Sequence, residues 1–221
     1  MDMNRSLDRL VSDFAAGIQK ADSLRPRAVS SRSEMLYSAG IGPHTETRTV
    51  DLVVAELRSH LSAPYADGIS VQVPYPSSTR SKCDLFITWE ARAWAIEVKM
   101  LRMMGDNGKP NDNTLMHILS PYSEHRSALT DCEKLLRSGL PGSKAILIYG
   151  YDFDGWEMDP AIEAFEVLAQ QRVALGPRVV SPFSGLIHPV HQRGRVFGWE
   201  IEPKTSQVQR EHPNDTATRQ K

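Results

Sequence analysis

The chain has 221 residues, 40% of them hydrophobic, enough to bury a sizeable core in what is most simply one domain with decorations. A formal net charge of -1 excludes a globally basic nucleic-acid binder, so any contact with a polyanion has to come from a local patch. The two cysteines, Cys83 and Cys132, form neither a disulfide framework nor a zinc cluster. No charged and apolar leader opens the chain and no run approaches the roughly 18 apolar residues of a membrane span, so a soluble, cytoplasmic protein is expected.

Residues 4–20 place Leu7, Leu10, Val11, Phe14 and Ile18 at helical spacing, an amphipathic helix outside the proposed core, available either to a second copy or to core packing. A polar stretch with Arg25, Arg27 and Arg32 follows to about residue 42. Residues 44–61 read as a second helix with an apolar stripe of Val50, Val53, Val54, Leu57 and Leu61. Glu46, four residues before Val50, falls on that inward stripe, whereas Glu56 lies off it and is expected to be solvated. Residues 69–75 alternate as a strand, and residues 83–89 and 93–99 supply two more. Residues 105–113, rich in Gly, Asn and Asp, form a loop. Ser120-Pro121 predicts a helix start, with Gly139 as its stop. Residues 144–151 are apolar enough for a buried central or parallel strand. Asp159-Pro160 opens a further helix to about residue 171, and residues 183–201 read as a hairpin around Gln192-Arg193-Gly194. The polar tail from residue 204 is expected to be disordered. The division is thus a helical extension (1–43), a domain (44–203, core 44–151) and a tail (204–221).

The two strands at 83–89 and 93–99 are apolar yet carry charge. Trp94, Ile96 and Val98 point one way, and Ala95, Glu97 and Lys99 the other. If the strands form a hairpin whose paired residue numbers sum to 181, Asp84 lies across from Glu97, with Cβ atoms roughly 4.5–5.5 Å apart. Two carboxylates so placed raise each other's pKa unless a cation lies between them; a neighbouring Lys99 relieves this only in part, and a divalent metal is the natural occupant.

Asp84, a gap of twelve residues, and then Glu97-Val98-Lys99 resemble the PD-(D/E)XK nuclease superfamily, whose restriction-endonuclease-like fold has an αβββαβ core. The order helix, three strands, helix, strand over 44–151 has the same sequence of elements. The proline of the family's motif is absent, Cys83 standing in its place, but the chemistry needs the carboxylate. The resemblance implies an α/β fold with a mixed central sheet and a metal site of Asp84, Glu97 and the carbonyl of Val98. It also implies that Lys99 orients or deprotonates the attacking water, and that Glu46 supports the site from the first core helix. The implied cofactor is Mg2+, with Mn2+ able to substitute. The implied activity is hydrolysis of DNA phosphodiester bonds by an endonuclease, of restriction or defence type because no helicase or ATP-binding domain accompanies the chain. A recombination, repair or RNA nuclease of the same fold, or a nucleic-acid-binding or assembly protein that does not cleave, are the alternatives. Duplex DNA is the expected partner and a homodimer the expected assembly, since two strands are most simply cut by a two-fold pair.

Arg80, Lys82, Arg102 and Lys109 flank the motif and could line a groove. Arg126 could face a phosphate. Asp131, Glu133, Lys134 and Arg137 have helical i, i+3 and i+4 spacings that need no function. His188 and His191 lack a partner at a recognisable zinc spacing and read as strand and turn histidines. Trp156 and Trp199 read as core.

Overall fold

The computed structural model describes residues 4–29, 34–60, 62–89 and 92–204. Among these residues six helices and seven strands follow one another as α1 (Asn4–Ser23), α2 (Glu46–His60), α3 (Ser62–Gly68), β1 (Ile69–Tyr75), β2 (Ser78–Trp89), β3 (Arg92–Leu101), α4 (Met116–Leu119), α5 (Ala128–Leu136), β4 (Ser143–Tyr151), α6 (Asp159–Gln170), β5 (Ala174–Leu175), β6 (Val179–Ser184) and β7 (Arg193–Glu202). The strands form one mixed sheet in the order β1-β2-β3-β4-β7-β5, with β6 also on β7. Only β3 and β4 pair in parallel among the described strands. A parallel pair needs a crossover, and α4 and α5 lie within it. The protein is therefore α/β. Among the described residues no helix is long and apolar enough to cross a membrane.

Two apolar clusters lie on opposite faces of the sheet. The first joins α1 and α2 to Leu85, Ile87, Trp94, Ile96 and Val98; the second joins α5 and α6 to Cys83, Ala95, Ile146 and Ile148. The helix at the N-terminus, expected outside the core, packs in the first cluster through Leu7, Leu10, Val11, Phe14 and Ile18. Burial of each such side chain contributes roughly 1.5–3 kcal/mol, against about 0.3–0.5 kcal/mol for a helical ion pair such as Arg9–Asp13. Packing, not surface charge, therefore holds α1. Its closeness to β7 requires Gly198, where a Cβ would meet Val11 Cγ2 at 2.5 Å.

The helix expected from Ser120 starts at Ala128 instead. Arg126 adopts a left-handed conformation (φ 47°) that ends a 3-10 turn at Ser123–His125, and Ser127 caps α5 by accepting from Thr130 N. Ser120 Oγ is occupied with His125 Nδ1 at 2.6 Å. The final hairpin is also displaced: β6 ends at Ser184 and β7 begins at Arg193, so residues 185–192 form a loop holding Pro189, His188 and His191. Glu56 is buried rather than solvated, and of the two tryptophans Trp199 is core while Trp156 is exposed. Both cysteines are buried and free. Arg32, Leu61 and the tail beyond residue 204 lie outside the described residues.

Candidate metal and phosphate site

The hairpin register is the one whose numbers sum to 181, running from Trp89↔Arg92 to Leu85↔Ile96. The ladder stops there, one step short of Asp84 and Glu97. The cause lies in β1 and β2, which change faces at this point. Val71 and Leu85 pack in the first cluster, whereas their partners two residues along, Val73 and Cys83, pack in the second. Gln72 absorbs the change with φ 52°, a left-handed backbone inside a strand that costs on the order of 1–3 kcal/mol for a residue other than glycine. Its side chain donates to Asp84 Oδ1 at 3.0 Å.

Beyond the break β3 has lost its antiparallel neighbour, and its exposed N–H groups need acceptors. Two carboxylates supply them. Asp84 Oδ2 accepts from Val98 N at 2.9 Å, and Glu46 Oε2, from the first residue of α2, accepts from Met100 N at 2.7 Å. The carbonyl of Val98 projects to the same edge as its N–H, because both groups of a strand residue point to one side.

Glu97 and Lys99 project from β3 to the face covered by α5. Glu97 is 2% exposed; it accepts from the Tyr75 hydroxyl and lies 3.2 Å from Lys134 Nζ. Asp131, 1% exposed, is paired with both lysines: Lys134 Nζ at 2.9 Å and Lys99 Nζ at 2.8 Å. Lys99 Nζ is also 3.5 Å from Glu46 Oε1. Asp84, Glu46, Glu97, Lys99, Asp131 and Lys134 line one cleft of about 980 Å³, with Lys82, His117 and Arg126 also on its wall.

Burial pushes the Glu97 carboxyl well above the ordinary carboxylate range, and the charges of Asp131 and Asp84 push it further, opposed by Lys134 and the Tyr75 hydroxyl. Burial likewise raises Glu46. For Lys99 burial acts downward, but Glu46 and Asp131 outweigh it and hold the ammonium above its ordinary value. Lys99 is therefore a charged donor in this arrangement, not a free amine ready to accept a proton. Lys134 is raised in the same way, by Glu97 and Asp131 against burial.

The structure thus gathers Asp84, Glu97, Val98, Lys99 and Glu46 at one end of β3. It adds Asp131 and Lys134, whose helical spacing alone assigns them to an ordinary helix surface. That spacing is visible in the sequence, but not that the site's strand runs beneath it. Arg126 reaches the wall of the cleft from the left-handed turn before α5. Arg102 turns away, donating to Gly42 O at 2.6 Å.

A second group of ligating side chains lies between the loop after β3 and the β6–β7 loop, against Gly42 in the segment before α2. Asp106, His188 and His191 bring one ligand atom each within 4.8 Å of the others, a largely buried group that could hold a metal ion. The carboxylate that the two histidines lack in sequence comes from the loop after β3. In comparisons with known proteins, no family model, curated protein or solved structure matches the chain.

Proposed function

We propose that the chain is a Mg2+-dependent endonuclease with a restriction-endonuclease-like αβββαβ core, hydrolysing phosphodiester bonds of DNA, of restriction or defence type. The observation that carries this reading is the charge imbalance at the end of β3. There four carboxylates, Asp84, Glu97, Asp131 and Glu46, surround two ammonium groups, Lys99 and Lys134, which pair with Glu97, Asp131 and Glu46, and Glu97 is already pushed toward its neutral form; the further cations of the cleft, Lys82 and Arg126, stand on its wall. A divalent cation removes that strain.

The donor set fits the ion. Asp84, Glu97 and the Val98 carbonyl are hard oxygen ligands on a break in the sheet, open to a cleft large enough for a phosphate group, which suits Mg2+ or Mn2+ better than zinc. When bound, the ion supplies Lewis-acid polarisation of a phosphoryl oxygen. Lys99, fixed between Asp131 and Glu46, donates to the attacking water and offsets charge growing on the phosphate. Glu46 and Asp131 position Lys99 and keep it charged. Lys82 and Arg126 on the cleft wall supply the local positive charge that the net charge of -1 withholds.

Incubating duplex DNA and a matched RNA with the chain, in Mg2+ and in chelator, tests this reading. Cleavage of DNA in Mg2+ alone supports it. Cleavage of RNA alone moves it to an RNA nuclease, and binding without cleavage in Mg2+ or Mn2+ leaves a nucleic-acid-binding protein.

A further inference from the structure

We propose that Asp106, His188 and His191 form a second metal site of the zinc class, apart from the cleft, with three protein ligands and the fourth position left to a water. His191, 1% exposed, is the most constrained member of the group. Its Nε2 lies 3.0 Å from the carbonyl oxygen of Met104. A carbonyl can only accept, so Nε2 carries the hydrogen and the lone pair of the neutral ring sits on Nδ1. Nδ1 faces Asp106 Oδ1 at 3.6 Å, and both atoms are buried without a hydrogen-bond partner. Two acceptors aimed at each other in the interior are unfavourable unless something positive lies between them. Ring-nitrogen donation to a backbone carbonyl is also the support that metal-ligating histidines use to fix their orientation.

The surroundings hold the group in place. The His188 ring stacks on His191 at 4.8 Å and 21°; its Nδ1 accepts from Val190 N and His191 N at 3.3 Å each, long contacts that it would give up to an ion, since the single lone pair of Nδ1 cannot serve both. Asp106 sits in a loop closed by Gly105 N to Lys109 O (2.7 Å) and Asn111 N to Met103 O (2.7 Å). Arg102 lies 3.8 Å from Asp106 Oδ1, offsetting part of its charge without a hydrogen bond. Gly42 closes the remaining side, since a Cβ there would meet His191 Nδ1 at 2.4 Å. His44, next along that segment, is buried with Nε2 also unpartnered.

Two imidazoles and one carboxylate match zinc, whose ligand atoms in a tetrahedral shell lie roughly 3.3 Å apart given bonds of about 2.0–2.1 Å. The 3.6 Å pair is already close to that, and the whole group lies within 4.8 Å, so small rotations of the side chains close it around an ion. The ion would tie the loop after β3 to the β6–β7 loop.

Metal-stripped full-length protein titrated with Zn2+ alone by calorimetry is expected to bind one equivalent at this site, unaffected by excess Mg2+. Asp106→Asn and His191→Asn are expected to weaken binding by more than the roughly 10–100-fold that loss of an outer-shell partner costs. Glu97→Gln should bind as wild type does. Co2+ loaded into the wild-type chain reads the ligand set without any variant: an intense visible spectrum of low coordination number supports the site. Absence of saturable binding, equal affinity in the Asp106 and His191 variants when they fold, or a weak six-coordinate Co2+ spectrum overturns it.

Discussion

Glu97 is the residue whose protonation ties stability to function. Its folded-state pKa is raised by burial and by Asp131 and Asp84, above the ordinary value of 4.5. A raised value means that the folded chain holds a proton which the unfolded chain has released. The resulting stability is present below the ordinary value and is lost as pH rises through the folded one. Metal-free wild-type protein should therefore lose stability as pH climbs from acid toward neutral. Glu97→Gln should flatten that part of the profile, as chemical denaturation at a series of pH values can read. The same variant should lose Mg2+-dependent cleavage by orders of magnitude, and saturating Mg2+ should raise the wild-type melting temperature but not the variant's. Lys99→Ala, in contrast, should cost about 10²–10³-fold in turnover, on the scale of one preorganised charge-stabilising donor. Mg2+ affinity by calorimetry should survive it, because the ammonium serves the water and the transition state. Loss of Mg2+ affinity with turnover intact at saturating metal would reverse the two roles.

At the scale of elements, α5 controls the charge of the cleft. Lys134 neutralises Glu97 and Asp131 when no ion is bound, so Lys134→Gln should destabilise the metal-free protein. Breaking a buried pair costs about 3–5 kcal/mol, but the Lys134 side chain is 36% exposed, so a loss of about 1–2 kcal/mol is expected in denaturant titrations. The same change should tighten Mg2+ binding, since a competing cation has gone. Unchanged affinity would mean that Glu97 is not a metal ligand. The strands and their faces are legible in the sequence because a period of two is a strong local signal, and Glu97, Lys99 and the hairpin register follow from it. Glu46 is legible as an acid on an apolar stripe. The break at Asp84 is not, because it depends on Gln72 adopting φ 52° in the neighbouring strand. Nor is the start of α5, where the capping by Ser127 outweighs the Ser120-Pro121 signal. Asp131, Lys134 and Asp106 join their sites only through tertiary packing, for which no spacing rule exists.

For the whole molecule, a net charge of -1 means that the proposed polyanion binding has to rest on local cations such as Lys82 and Arg126 on the cleft wall. Removing Lys82 and Arg126 together should weaken duplex binding and reduce the slope of log affinity against log salt by about 0.9 for each phosphate no longer neutralised, with metal affinity unchanged. The apolar face of α1, one candidate for pairing two copies, is spent on the core, so any two-fold pairing has to use other surfaces. The central claim, that the break between β2 and β3 holds a divalent ion, is tested most directly by a crystal of the chain soaked in Mn2+ and measured at an anomalous wavelength. An anomalous peak within coordination distance of Asp84, Glu97 and the Val98 carbonyl is the predicted result. A soaked crystal with no peak there, the Lys134 ammonium still against Glu97, would contradict it.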